Sequence, residues 1–226
     1  MTLHKQKFDI WRTNGFTRTN SSKNLSGFTI VELMIATTVF SVILLLATFG
    51  LLQVGRTYYK GITLTKTQNV ARSIIDTISQ DIQFSGESVN KPDNYPTISE
   101  TDPNPTYAIC IGNNRYSVKL DQKVGGTYHG LLVDESNSCE PQDFADIIGT
   151  PKELLDTNMR VAKLSIDNST NPDLYTINLT IIYGDNDLLN NVISDSNYHK
   201  QCLSAQAGTQ FCSVVNLSTT VQKRKN

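Results

Sequence analysis

The sequence predicts an α+β protein in which a long N-terminal helix packs by its second half on an antiparallel β-sheet head. Three stretches carry that prediction. From Phe28 to Leu52 the chain is almost uninterruptedly apolar, with Glu32 as its single charge. From Leu64 to Ile82 apolar residues recur at helical spacing while polar residues fill the other face. Between Arg160 and Tyr183 two runs alternate apolar and polar residues on either side of a turn-rich stretch, 167–173.

The first stretch has the length of a membrane span. About 25 residues at about 1.5 Å each exceed the roughly 30 Å of a bilayer core. An ordinary secretory signal is cut after its apolar region, at small residues. No Ala-x-Ala-like site follows Leu52, and the pattern runs on as helix instead. An ionisable group inside such a span is costly and marks a functional position by default. Glu32 has no basic residue close by in its own chain.

The run Gly27-Phe28-Thr29-Ile30-Val31-Glu32-Leu33-Met34-Ile35-Ala36 resembles the class III signal, G-F-T-x-x-E-L, of type IV pilin-like precursors. The resemblance implies that a prepilin peptidase cuts after Gly27 and that Phe28 becomes the N-methylated new N-terminus. Glu32 is then the fifth mature residue, where that family carries an acid that neutralises a neighbouring N-terminal amine. The implied fold is the pilin lollipop. Residues 1–27 are then a leader, 28–54 the transmembrane and filament-core half of the helix, 55–86 its amphipathic half, and 87–226 the β-rich head. The stretch Asp76–Gly86 is also similar to the helix end of PilW-like minor pilins and J-type minor pseudopilins. The helix lacks the proline that many pilins carry within the apolar segment, and Gly50 and Gly55 are the nearest candidates for local softening.

Charge supports the same orientation. The chain carries a formal net charge of −1. The first 27 residues hold five basic side chains against one acid, a net +4, which leaves −5 for the remainder. A basic leader before an apolar span fits retention on the cytoplasmic side. The mildly acidic remainder carries no nucleic-acid footprint. The basic tail Lys223-Arg224-Lys225 is read as a solvated end.

Four cysteines, Cys110, Cys139, Cys202 and Cys212, all fall in the head. An even count in an exported domain favours disulfides, and three pairings are open. Cys110–Cys139 with Cys202–Cys212 needs the least topology. No C-x-x-C spacing points to a metal.

Along the chain, Ile74, Ile75, Ile78 and Ile82 form the core stripe of the helix, and Gly86 is its expected C-terminal cap. Residues 87–106, with four prolines, read as a loop. Strands are expected at 107–111, 116–120, 130–134, 160–166, 174–183 and 212–221, the first two as a hairpin, with a short helix at 151–156. Catalytic signals are thin: His129 and His199 sit in no metal motif, and no G-x-S-x-G or phosphate loop occurs. The run Asp185-Asn186-Asp187 has calcium-type ligands but lacks the glycine and bidentate acid of a calcium loop.

The expectation is therefore a non-enzymatic protein with no cofactor: a minor pilin or minor pseudopilin of a type IV pilus or type II secretion pseudopilus, priming assembly at or near the tip. Its expected partners are prepilin peptidase, other pilins or pseudopilins and the inner membrane, with no nucleic acid. Its expected location is the inner membrane, with the head outside the cytoplasm, and then the filament in the periplasm or at the cell surface. A major structural pilin and a non-polymerising membrane-anchored binding protein are the alternatives.

Overall fold

Helix α1 runs without interruption from Ile30 to Phe84. The computed structural model describes residues 27–99, 101–122, 128–168, 173–194, 197–203 and 208–224. The expected leader, except Gly27, and Lys225 lie outside the described residues, as does part of the 167–173 turn. The chain divides into two compact units, Met1–Thr48 and Phe49–Asn226.

In the first unit, the polar side chains of an apolar helix have to be satisfied locally. The hydroxyls of Thr37, Thr38, Ser41 and Thr48 donate to the carbonyls of Met34, Ile35, Thr37 and Leu44 at 2.7 to 3.0 Å. Bonds of this kind let hydroxyls sit on a lipid-facing helix without a stripped polar group. This part of α1 is long and apolar enough to cross a membrane. No break occurs at Gly50 or Gly55.

In the second unit, the helix buries Ala71, Ile74, Ile75, Ile78 and Ile82, the stripe that the spacing predicts. Leu64 does not join it. Thr63 and Thr67 take the buried positions there, and Thr67 shares a 2.8 Å hydrogen bond with Ser213 while donating to the Thr63 carbonyl. Because both hydroxyls are bonded, the polar pair is tolerated where the sequence suggests leucine. The helix ends as Gly86 turns left-handed at φ +69°, a conformation that costs glycine nothing.

The strands are β1 (Thr106–Ile111), β2 (Asn114–Lys119), β3 (Leu131–Glu135), β4 (Lys152–Glu153), β5 (Met159–Asn168), β6 (Leu174–Tyr183), β7 (Leu189–Ser194), β8 (Asn197–Cys202) and β9 (Ser213–Gln222). They form one sheet in the order β1-β2-β3-β4, a second in the order β5-β6-β9 and a two-stranded ribbon of β7 and β8. Every pairing is antiparallel. The isoleucines of α1 join Ile109, Val118, Leu164, Ile177 and Leu179 from both larger sheets in one core. Asp81 of α1 accepts hydrogen bonds from Asn114 Nδ2, at 2.8 Å, and from the Tyr116 hydroxyl. These bonds fix the helix against the β1–β2 hairpin.

The short helix expected at 151–156 does not form. Lys152–Glu153 pairs with β3 instead. The Glu153 carboxylate accepts from the backbone N–H groups of His129, Leu131 and Leu155 at 2.7 to 3.2 Å. Long-range pairing overrides a weak local helix signal that spans barely one turn. Arg115 of β2 holds the loop after β3 by donating to the Glu140 carbonyl at 2.9 Å, and it donates to Asp134 of β3 at 2.5 and 3.0 Å. That contact holds the Asp134 carboxyl below its ordinary value, against the opposing effect of burial.

Disulfides join Cys110 to Cys139 and Cys202 to Cys212, each cysteine to its nearest neighbour in sequence. The first ties β1 to the loop after β3, and the second fastens the end of β8 to the start of β9. Gly184 makes room for the second. At φ +137° it lies so close to Cys212 that an added Cβ would sit 3.3 Å from the cysteine Cβ. Serine at both Cys110 and Cys139, a 29-residue separation, should lower the stability of the full chain by about 3.5 kcal/mol on the loop-entropy argument. Serine at both Cys202 and Cys212, a 10-residue separation, should cost about 2.7 kcal/mol. Urea unfolding of the chain in detergent measures both.

At the far end of the second sheet lies a buried charge. Arg160 of β5 is 0% exposed. Its Nη1 donates to Asn186 Oδ1 at 2.6 Å and lies 3.5 Å from Asp121 Oδ1, while Nη2 donates to the Gly184 carbonyl at 2.8 Å. Burial pushes the guanidinium's pKa down, and Asp121 opposes that. Asn186, read from sequence as one member of a calcium-type cluster, is engaged here by the arginine.

Candidate assembly site at the start of the helix

Glycine, an aromatic, a threonine and a glutamate meet where coil becomes helix. Gly27 is exposed, and an added Cβ there would meet nothing within 4 Å. Phe28 is 88% exposed. Helical structure begins at Ile30, and the carbonyl of Thr29 accepts from the Leu33 N–H at 3.1 Å. Thr29 is therefore the N-cap residue.

Glu32 closes the cap from the other side. Its Oε2 accepts from the backbone N–H and the hydroxyl of Thr29, both at 2.9 Å, and Thr29 Oγ1 accepts from the Glu32 N–H at 3.2 Å. This is a capping box, in which the two residues satisfy each other's end-of-helix donors. The sequence reading passed over this role, although Thr29-Ile30-Val31-Glu32 carries its T-x-x-E signature. The acid in the first turn also complements the positive end of the helix dipole.

The box consumes only part of the carboxylate. Two oxygens offer about four lone-pair positions, and the Thr29 bonds take two of them. Glu32 remains exposed, so it has acceptor capacity for an incoming cation. Around it the side chains of Ile30, Val31, Leu33, Met34 and Ile35 are exposed and apolar. A carboxylate in such surroundings gains most from a counter-charge once water is excluded. Gly27, Phe28 and Glu32 thus lie together at one helix terminus, whereas the four cysteines form the two separate cross-links of the head.

Residues 22–48 match the family model described as the prokaryotic N-terminal methylation motif. No curated protein and no solved structure matches the chain. The match covers the start of the helix and none of the strands. With one long apolar helix and antiparallel sheets it supports a type IV pilin-like protein, a structural and not an enzymatic class. The motif implies processing by a prepilin peptidase and assembly with other pilins, and the apolar helix fits a membrane-anchored stage before the filament.

Proposed function

We propose that this chain is a minor pilin or minor pseudopilin, incorporated into a type IV pilus or a type II secretion pseudopilus and priming assembly at or near its tip. Cleavage follows Gly27, Phe28 becomes the methylated N-terminus, and Glu32 neutralises a neighbouring N-terminal amine inside the apolar filament core. Residues 1–27 are the leader, 28–54 the membrane and filament-core helix, 55–86 the amphipathic half and 87–226 the head. One observation carries this reading: the single charge of the apolar segment lies in the first turn of the helix, within a stretch that matches a methylation motif, with acceptor capacity to spare. The minor rather than major role rests on the similarity of Asp76–Gly86 to minor-pilin helix ends.

Intact-mass and N-terminal analysis of the protein from its native membrane tests the proposal. The expected species starts at methylated Phe28 and is lighter by four hydrogens than its fully reduced form. A chain that still starts at Met1 where prepilin peptidase is active would point to a simple membrane anchor. High abundance in sheared fibres would point to the major pilin instead.

A further inference from the structure

The two larger sheets protect three of their four edges. The β1 edge is covered by Asn90, whose N–H and carbonyl exchange hydrogen bonds with Cys110 at 2.9 and 2.8 Å. The β4 edge is only two residues long. Along β5, the Val161 carbonyl accepts from the Asp121 N–H at 2.8 Å and the Leu164 carbonyl from the Tyr107 hydroxyl at 2.6 Å. Tyr95 closes the rest by donating to the Ile166 carbonyl at 3.0 Å and accepting from the Ile166 N–H at 2.9 Å.

The fourth edge, β9, is treated differently. It pairs with β6 in unbroken register from Ser213 to Gln222. In an antiparallel pair alternate residues turn their backbone groups away from the partner. Among the described residues, none of the outward groups of β9 is bonded to another segment. Its sequence, Ser-Val-Val-Asn-Leu-Ser-Thr-Thr-Val-Gln, holds no charge, no proline and no bulge. Those are the devices by which proteins blunt a long edge. Val214 is 38% exposed, and Leu217 and Thr219 are only half-buried although they share a face with buried Val215 and Val221.

We propose that β9 is a docking edge for an uncharged extended segment of another protein of the assembly, which adds to it antiparallel. Just beyond β9 stand Lys223 and Arg224, the latter over the Phe84 ring at 4.8 Å. An antiparallel segment sets the residues preceding it beside this pair, so acidic residues at its N-terminal end complete the match. A second copy of this chain is the poorer occupant, an argument that rests on the pilin reading. Ser213 lies beside Thr67 and Arg224 N beside Gln83 O at 3.4 Å, so β9 runs in the direction of α1. Antiparallel β9–β9 pairing would set the two helices head to tail, whereas subunits drawn from one membrane share a direction.

Hydrogen exchange of the full chain in detergent tests this, with a synthetic peptide of two aspartates followed by alternating valine and threonine as the probe. Alternate amides within Ser213–Gln222 should slow by about tenfold or more at saturation, as ladder hydrogen bonds protect them. Thr219→Lys and Asn216→Lys, which place a charge on either face of the edge, should abolish the protection while the unfolding midpoint holds. Asparagines in place of the aspartates should weaken binding about fivefold, the scale of two exposed ion pairs. No protection at millimolar peptide, or protection that survives both lysines, overturns the proposal. Protection that rises with protein concentration without peptide overturns it in favour of a second copy. The pilin reading fails on a different readout, the N-terminal mass, so the two failures are distinguishable.

Discussion

Glu32→Gln should leave the protein in the membrane at normal level and cut its recovery in sheared filaments by at least about thirtyfold. Removing one partner of a desolvated, hydrogen-bonded charge pair costs about 2–5 kcal/mol, and the lower figure already gives that factor. The variant is chosen because Glu32 has two roles that alanine cannot separate. Its carboxylate completes the capping box with Thr29, and it is the only charge between Phe28 and Leu52. Glutamine serves in a capping box as glutamate does but carries no charge. Glu32→Ala loses both roles, and with them about 1 kcal/mol of helix-end stability. If glutamine fails as alanine does, the charge drives incorporation. If glutamine behaves as wild type and only alanine fails, the residue is a helix cap. Normal incorporation of both variants would sink the assembly mechanism. Quantitative immunoblots of the membrane and sheared-filament fractions give the comparison.

The helix and the second sheet were legible because each has a strong period that burial enforces. Ile74, Ile78 and Ile82 repeat at four residues and Ile177, Leu179 and Ile181 at two, and all are buried. The β7–β8 ribbon was not legible. Asn197–Cys202 is mostly polar, and in Leu189–Ser194 the apolar residues Leu189, Val192 and Ile193 do not alternate, so neither offers the apolar alternation by which a half-buried strand announces itself. Thr63 and Thr67 were not read as core for a related reason: a buried hydroxyl looks polar in sequence until its partner, Ser213 for Thr67, is brought to it.

The candidate site was legible for a different cause. The proposed residues Gly27, Phe28 and Glu32 are local, a few positions apart at one helix start, and all fall within the 22–48 stretch that matches the methylation motif. The docking edge on β9 is the opposite case. That the strand exists follows from its β-branched composition, but that it ends a sheet, and that the other long edge is sealed by Tyr95 and Tyr107, depends on contacts from residues far away in sequence. Burial beside Ile166 pushes the Tyr95 phenol up to about 12, so the seal keeps its proton across the physiological range.

Arg160→Ala should lower the unfolding free energy of the full chain by about 3–5 kcal/mol, the cost of breaking a buried ion pair from one side. The substitution removes the guanidinium that ties three segments together: β5 itself, Asp121 after β2, and the Gly184–Asn186 stretch after β6. The Gly184 carbonyl is buried and loses a charged donor, and the buried Asp121 carboxylate loses the Arg160 charge. No pattern in the sequence marks this centre. Met159 and Val161 join the core, so alternation sets Arg160 on the other face of β5, where a charged side chain reads as solvated. Its burial there depends on Asp121, Gly184 and Asn186, all distant in sequence. Arg160→Met separates charge from packing, since it keeps most of the volume of the arginine stem while leaving Asp121 without the guanidinium charge, as alanine does. Methionine should therefore lose clearly less than alanine in urea unfolding. Equal losses would assign the role of Arg160 to its hydrogen bonds, which neither substitute restores, and a loss below about 1 kcal/mol for alanine would show that the three segments hold together without it.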